Sequence, residues 1–256
     1  MRFTSVVRLA EVDSTNRVAL AEARRGAPEG LVVVADHQHA GRGRRGRRWV
    51  SPPGASLLCS VLFRPPLRRE ELHLVPSALS LAALDAVEAT SGLRASLKWP
   101  NDLVAGPRKL GGALAELAEG VPVAVVVGIG VNLAWPAGWP PSGGELAREL
   151  AGATTLEAET GRAVAPGTLL DALLAALERR YETLLAPQGV AATAAAYEAA
   201  CATLGQRVRV ELEGEVLLGR AVRLAPDGRL VVALEGGGER RLEVGDVVHL
   251  GRAEPD

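Results

Sequence analysis

Aromatic residues are scarce in this chain of 256: four tryptophans, two tyrosines and two phenylalanines. Single-stranded nucleic acid is held largely by stacking bases on aromatic rings, so so few rings leave few platforms for it. Cysteine is scarcer still. Cys59 and Cys201 stand far apart and outside any Cys-x-x-Cys spacing, which excludes a disulfide framework and a cysteine zinc site and fits a reducing cytoplasm. Cys59 lies in an apolar run and is expected to fill core. Net charge is missing too: the formal charge is −1 and the sequence pI about 6.5, which argues against a general binder of nucleic acid or membrane. The first residues, MRFTSVVRLAEVDST, lack the unbroken apolar segment of a signal peptide. The longest apolar run, near Val121–Leu133, contains Pro122 and two glycines, so no membrane-spanning segment is expected.

Against this balanced background one stretch is strongly charged. Gly41–Trp49, GRGRRGRRW, alternates five arginines with three glycines before a tryptophan. Five guanidiniums cannot enter a packed core, and the glycines free the backbone, so a mobile cationic loop is expected. It could wrap a phosphate ester with arginine forks and glycine amides, lie along a nucleic-acid backbone, or be a solvated basic loop.

In chain order, Val6–Val12 reads as a strand, followed by Asp13-Ser14-Thr15-Asn16 and a helix over Arg17–Arg25. Ser14–Asn16 is either a plain helix cap or a ligand-facing turn. Leu31–Ala35 is continuously apolar and reads as a fully buried strand, with Gln38 and the arginine loop beyond its C-terminal end, where ligands sit in open α/β sheets. Ala55–Phe63 is a further strand, and Pro76–Thr90 is a helix stopped by Ser91-Gly92.

Leu97-Lys98-Trp99-Pro100-Asn101-Asp102 crowds a cation, an indole, an amide and a carboxylate between two strand-like pieces. Pro100 fixes a turn, and Asn101 and Asp102 should project from a strand end. Arg108-Lys109-Leu110-Gly111-Gly112 leads into strands over Ala113–Glu116 and Val121–Val127, paired through Ala118-Glu119-Gly120. Gly128-Ile129-Gly130-Val131-Asn132 ends the second. Each glycine pair is either a bulge or a place where a ligand approaches the backbone closely. Helices follow over Glu145–Leu150, Thr168–Leu185 and Val190–Thr203. Short strands then recur with glycine-containing turns: Gln206–Glu213, Val216–Leu224, Arg229–Leu234, Arg240–Val244 and Asp246–Leu250. This spacing predicts a small barrel, with a boundary near Leu204.

The ordered set STN, QxAGRGRRGRRW, KWPNDL, KLGG and GIGVNL resembles the biotin protein ligase family over essentially the whole chain. The resemblance implies an α/β (α+β) architecture: a catalytic domain over residues 1–203 related in fold to class II aminoacyl-tRNA synthetases, and an SH3-like barrel over residues 204–256. It implies that ATP and biotin are substrates, that Mg²⁺ is required, that biotin is activated as biotinyl-5'-AMP, and that the acceptor is a lysine of a biotin carboxyl carrier protein, an acetyl-CoA carboxylase subunit. The first strand begins so near Met1 that no DNA-binding domain, and hence no DNA partner, is expected. No membrane partner is expected either, and the chain is either a monomer or a homodimer.

Site roles are carried over by the same resemblance. Arg42 and Lys109 lie against the biotin carboxylate and the acyl-phosphate. Ser14, Thr15, Asn16, Gln38, Gly41, Gly112 and Gly128 complete the biotin site, with Gly41 and Gly112 acting through the main chain. Arg44, Arg45 and Arg47 face the nucleotide phosphates, Trp49 covers the adenine, and Asn101 and Asn132 lie near the nucleotide. Asp102 is catalytic, as base or orienter of the incoming lysine amine, or as a magnesium ligand; the metal ligands themselves are not assigned. Physically, joining a carboxylate to the α-phosphate of ATP demands positive charge and alignment more than a nucleophile from the protein. A lipoate or octanoate ligase on the same fold, and a nucleic-acid-binding protein, are the competing readings.

Overall fold

The computed structural model describes residues 1–118, 123–212, 214–242 and 246–250. Its first half is a seven-stranded sheet built from β1 (Ser5–Val12), β2 (Leu31–Gln38), β3 (Ser56–Phe63), β4 (Ser96–Lys98), β5 (Asp102–Ala105), β6 (Arg108–Ala118) and β7 (Ala124–Asn132), in the order β1-β2-β3-β7-β6-β5-β4. The β1–β2 pair is parallel, joined by the crossover helix α1 (Thr15–Arg24), and the remaining neighbours are antiparallel.

Side chains alternate across these strands, and the alternation sorts them into two layers. Val32, Val34, Val61, Phe63, Val125 and Val127 point into the main core; Leu31, Val33, Leu62, Ala124 and Val126 point to the opposite face and meet Ala19, Leu20 and Ala23 of α1. The main core lies under α2 (Leu74–Ser91) and, beyond α3 (Gly144–Leu150) and α4 (Leu156–Thr160), under α5 (Pro166–Leu185) and α6 (Gly189–Ala200). Three of the few aromatic rings, Phe3, Phe63 and Tyr181, stack edge-on or tilted within it, and the Tyr181 hydroxyl donates to Glu29 at 2.7 Å. By length and composition the stretch Arg69–Ser91 could cross a membrane. In the fold α2 is the helix most enclosed by the main core, with Val75, Ala78, Leu79, Ala82, Ala83 and Val87 at most 1% exposed.

The remainder forms a separate five-stranded antiparallel sheet, β8 (Arg207–Leu212), β9 (Glu215–Leu224), β10 (Leu230–Leu234), β11 (Glu239–Leu242) and β12 (Asp246–Leu250), in the order β11-β10-β9-β8-β12. Its inward residues Val208, Val210, Ala221, Leu230 and Val232 join the main core without a break. The two sheets are tied through one tryptophan. Trp99 is 4% exposed; its main-chain N–H donates to Thr203 Oγ1 and its indole to the Gly228 carbonyl, each at 3.0 Å.

Several expectations need correction. The strand expected over Ala113–Glu116 runs from Arg108 to Ala118, so Lys109 and both following glycines lie within it. Gly128–Asn132 likewise continues its strand. The sixth helix ends at Ala200, not Thr203, and α4, capped by Thr155 Oγ1 accepting from the Ala158 N–H, was not anticipated. Glu119, Gly120, Val121 and Pro122 of the expected hairpin, Glu213 of one turn, and Glu243 and Val244 of one strand lie outside the described residues. The expected cationic loop over Gly41–Trp49 has a regular backbone. It closes as a hairpin: Trp49 N–H donates to the Gly41 carbonyl at 2.9 Å, Gly43 N–H to Arg47 at 2.7 Å, and a 3-10 turn at Arg44–Gly46 reverses the chain with Arg45 in the left-handed region.

Candidate active site

On the α1 face of the large sheet the apolar residues stop short of one end. There the register places Ser60 beside Gly128 and Leu114, Leu58 beside Gly130 and Gly112, and Ser56 beside Asn132. Small and polar residues on adjacent strands, with only Leu58 and Leu114 as large apolar side chains among them, leave that end with little apolar surface for a helix to cover. It becomes the floor of a cavity of about 600 Å³, walled by α1, the arginine hairpin, the Lys98–Asp102 turn, the α3 segment and Val247 and Val248 of the second sheet.

Every candidate residue named from the sequence lines this cavity except Gly41. Gly41 is buried behind the hairpin, where an added Cβ would strike the Trp49 carbonyl. The glycines of the floor make room chiefly for protein groups. A Cβ on Gly128 would collide with the Asn16 amide, and one on Gly130 would fall 2.6 Å from the Trp49 ring. Trp49 thus packs on the floor at Gly130, and Asn16 fills the space at Gly128.

One end is a buried amide and hydroxyl network. Ser14 holds the N-cap position of α1 but its side chain makes no capping bond, so of the two roles open to Ser14–Asn16 the plain cap is not used. Thr15 N–H donates to Gln38 Oε1 at 2.8 Å, which turns the Gln38 NH2 group away as a donor. Asn16 Nδ2 donates to the Leu114 carbonyl at 3.2 Å and to Glu116 at 2.9 Å, using both amide hydrogens, so its Oδ1 accepts from Ser60 Oγ at 2.6 Å. Ser60, fully buried and also 2.7 Å from Thr15 Oγ1, supports the whole network. It was missed in the sequence because it stands in an otherwise apolar strand.

The other end is cationic. Lys109 Nζ lies 2.6 Å from Asp102 Oδ1 and 5.9 Å from the centroid of the Trp49 ring. Arg42 reaches across to Glu116 at 2.7 Å. Arg45 leans on the second sheet, donating to the Glu211 carbonyl at 3.4 Å. Burial lowers the pKa of the Arg44 guanidinium, with Arg47 and Arg45 acting the same way and Asp102 against them. Lys98, paired in register with Asp102, is the second residue overlooked. Burial lowers its pKa, and Lys109 and Arg47 add to that while Asp102 opposes it.

Two amides assigned to the nucleotide are partly committed to the fold. Asn132 accepts from Ser56 at 3.2 Å and donates to the Thr154 carbonyl at 3.0 Å, and Asn101 donates to the Ala113 carbonyl at 2.7 Å. Lys109 is held through its backbone, its N–H donating to Gly152 and its carbonyl accepting from Thr154, at 2.7 and 2.8 Å. Cys59 is core, as expected, and burial pushes its thiol up to about 12. Among the described residues no group of three or more His, Cys, Asp or Glu side chains is placed to hold a metal ion.

Residues 9–132 match the biotin/lipoate A/B protein ligase family, and residues 203–250 match the biotin protein ligase C-terminal domain. A biotin–[acetyl-CoA-carboxylase] ligase of Mycobacterium tuberculosis is 36% identical, over 94% of this chain and 88% of its own length. One from Paracoccus denitrificans is 38% identical, over 78% and 82% respectively. The structure of the Aquifex aeolicus biotin protein ligase in complex with biotin and ATP superposes with a TM-score of 0.79 at 28% identity, covering 96% of this chain and 98% of that one. The chain belongs to the biotin protein ligase family.

Proposed function

We propose that this chain is an ATP-dependent ligase that activates biotin as biotinyl-5'-AMP and transfers the biotinyl group to a lysine of a biotin carboxyl carrier protein. The observation that carries the reading is the division of one cavity into an end lined by amides and hydroxyls and a cationic end, with Lys109 and Trp49 at the cationic one. A ureido ring needs neutral donors and acceptors. A carboxylate meeting a triphosphate needs preorganised positive charge. The match of residues 203–250 to a biotin protein ligase domain favours biotin over lipoate or octanoate.

In this reading Ser14, Thr15, Asn16 and Gln38 bind the rings of biotin, Gly128 serves the biotin site by making room for the Asn16 amide, and Gly112 brings the biotin chain against the backbone. Arg42 and Lys109 meet the carboxylate. Arg44, Arg45 and Arg47 meet the phosphates, Trp49 covers the adenine, and Asn101 and Asn132 border the nucleotide. Gly41 acts indirectly, by letting the hairpin close on Trp49. The carboxylate oxygen attacks the α-phosphorus, the bond to the β-phosphate bridging oxygen breaks, and pyrophosphate leaves with the electron pair. The carrier amine then attacks the acyl carbon and AMP leaves. A lysine is mostly protonated at neutral pH and must lose a proton first; Asp102 is placed to orient or deprotonate it.

Magnesium enters with the ATP. Mg²⁺ is commonly held by one or two carboxylates and substrate phosphates, and Asp102 and Glu149 are the carboxylates in the cavity lining. The fold reading, equally, is a class II synthetase-like catalytic domain to residue 203 and an SH3-like barrel from 204. A cytoplasmic setting fits two buried, free cysteines. The test is mass spectrometry of the acyl-adenylate formed from ATP with biotin, lipoate or octanoate offered separately. Biotinyl-5'-AMP alone is expected, and a lipoyl or octanoyl adenylate in its place would overturn the reading.

A further inference from the structure

The cations of the cavity wall differ in what already neutralises them. Lys109 is paired with Asp102 and Arg42 with Glu116. Lys98, half-buried on the same wall, forms no hydrogen bond or ion pair among the described residues, and the carboxylate it faces in register is the one Lys109 holds. Desolvating an ammonium without a partner costs stability. A fold that keeps one against a cavity is built for an anion that arrives there.

Position says which anion. From the Trp49 ring the wall runs to Lys109, then Asp102, then Lys98, with Arg47 close enough to act on Lys98 and Lys98 close enough to act on His249 of β12. With the base at Trp49 and the α-phosphate at Lys109, the β- and γ-phosphates extend toward Lys98. This rests on the ligase reading above. We propose that Lys98 is a catalytic residue whose ammonium holds the departing pyrophosphate of ATP. As the bond from the α-phosphorus to the bridging oxygen breaks, the electron pair and its charge move to that oxygen and the β-phosphate, and Lys98 meets the charge there. No proton is required in the step: a carboxylate and ATP give an acyl-adenylate and pyrophosphate.

The test compares wild type and Lys98→Gln in three reactions: biotin binding, biotin-dependent exchange of radiolabelled pyrophosphate into ATP, and transfer from synthetic biotinyl-5'-AMP to a carrier domain. Exchange should fall by about a hundredfold, the scale for losing a preorganised charge partner, while biotin binding and transfer from the preformed adenylate stay at wild-type rates. Exchange near the wild-type rate overturns the proposal. So does intact exchange with lost transfer, which would make Lys98 a group acting on the carrier amine. Should Lys98→Gln fail to bind biotin, Lys98→Met, which keeps the apolar stem, is read by the same outcomes. Absence of exchange in the wild type would instead remove the ligase reading itself.

Discussion

Lys109 and Asp102 meet at 2.6 Å across neighbouring strands, so the cation assigned to the reacting carboxylate carries its own counter-ion. The pair fixes the ammonium beside Trp49 and leaves it a second face for substrate. Lys109→Gln is expected to lower adenylate formation by about two to three orders of magnitude. Because Lys109 is 38% exposed, loss of the pair should cost no more than about 1 kcal/mol of stability. Unfolding curves and adenylate yield measured on the same preparation separate the two effects; near-normal yield from a folded variant would falsify the role of Lys109.

The two floor glycines should report on opposite ends of the cavity. Gly128→Ala drives a methyl group into the Asn16 amide, and Gly130→Ala drives one into the Trp49 ring. Each is an overpacking change of about 1–3 kcal/mol. Calorimetry should show biotin affinity lost in Gly128→Ala and ATP affinity lost in Gly130→Ala. Equal loss of both ligands in both variants would contradict the division into ends.

Ser60→Ala removes the hydroxyl that satisfies Asn16 Oδ1 inside the protein. An unsatisfied buried acceptor costs about 1–3 kcal/mol. The melting temperature should fall and biotin binding should weaken, with ATP binding unaffected. A variant as stable and as tight for biotin as wild type would show that the network is not held from below.

How much of this could be read from the chain is clear from particular residues. The buried strands and the two long helices were legible because continuous apolar runs and helical spacing leave few alternatives. All the site residues expected from the sequence but Gly41 reach one cavity because each motif lies at the cavity end of a strand or helix. What stayed hidden depends on partners distant in sequence. Ser56 and Ser60, four apart in a strand and therefore on one face, were the available signal for the polar floor. Lys98 stands within its motif with no legible role, since nothing local shows that Asp102 turns to Lys109. The glycines looked like ligand contacts because sequence does not reveal that Asn16 and Trp49 lie over them. The hairpin closure of the arginine loop stayed hidden because it depends on a main-chain bond between Trp49 and Gly41.

His249 gives a pH test of the contact between the sheets. Its Nε2 lies 3.0 Å from Thr203 Oγ1, and burial, then nearby Lys98, lowers its pKa below the ordinary 6.5. The unfolded chain therefore takes up this proton first as pH falls. The folded state keeps its full stability above about 6.5 and loses it as pH drops from there through the lowered value. Melting temperatures from pH 8 to pH 5 should fall less steeply in His249→Asn than in wild type. Parallel curves would show that His249 does not titrate differently on folding.

The most direct measurement of the central claim is intact-mass analysis of a biotin carboxyl carrier domain incubated with this protein, biotin and ATP. The expected result is one biotinyl group on one lysine, dependent on ATP, accompanied by pyrophosphate and AMP, and lost in Lys109→Gln. A carrier that stays unmodified while the protein binds biotin and ATP, or one that takes a lipoyl or octanoyl group instead, would contradict it.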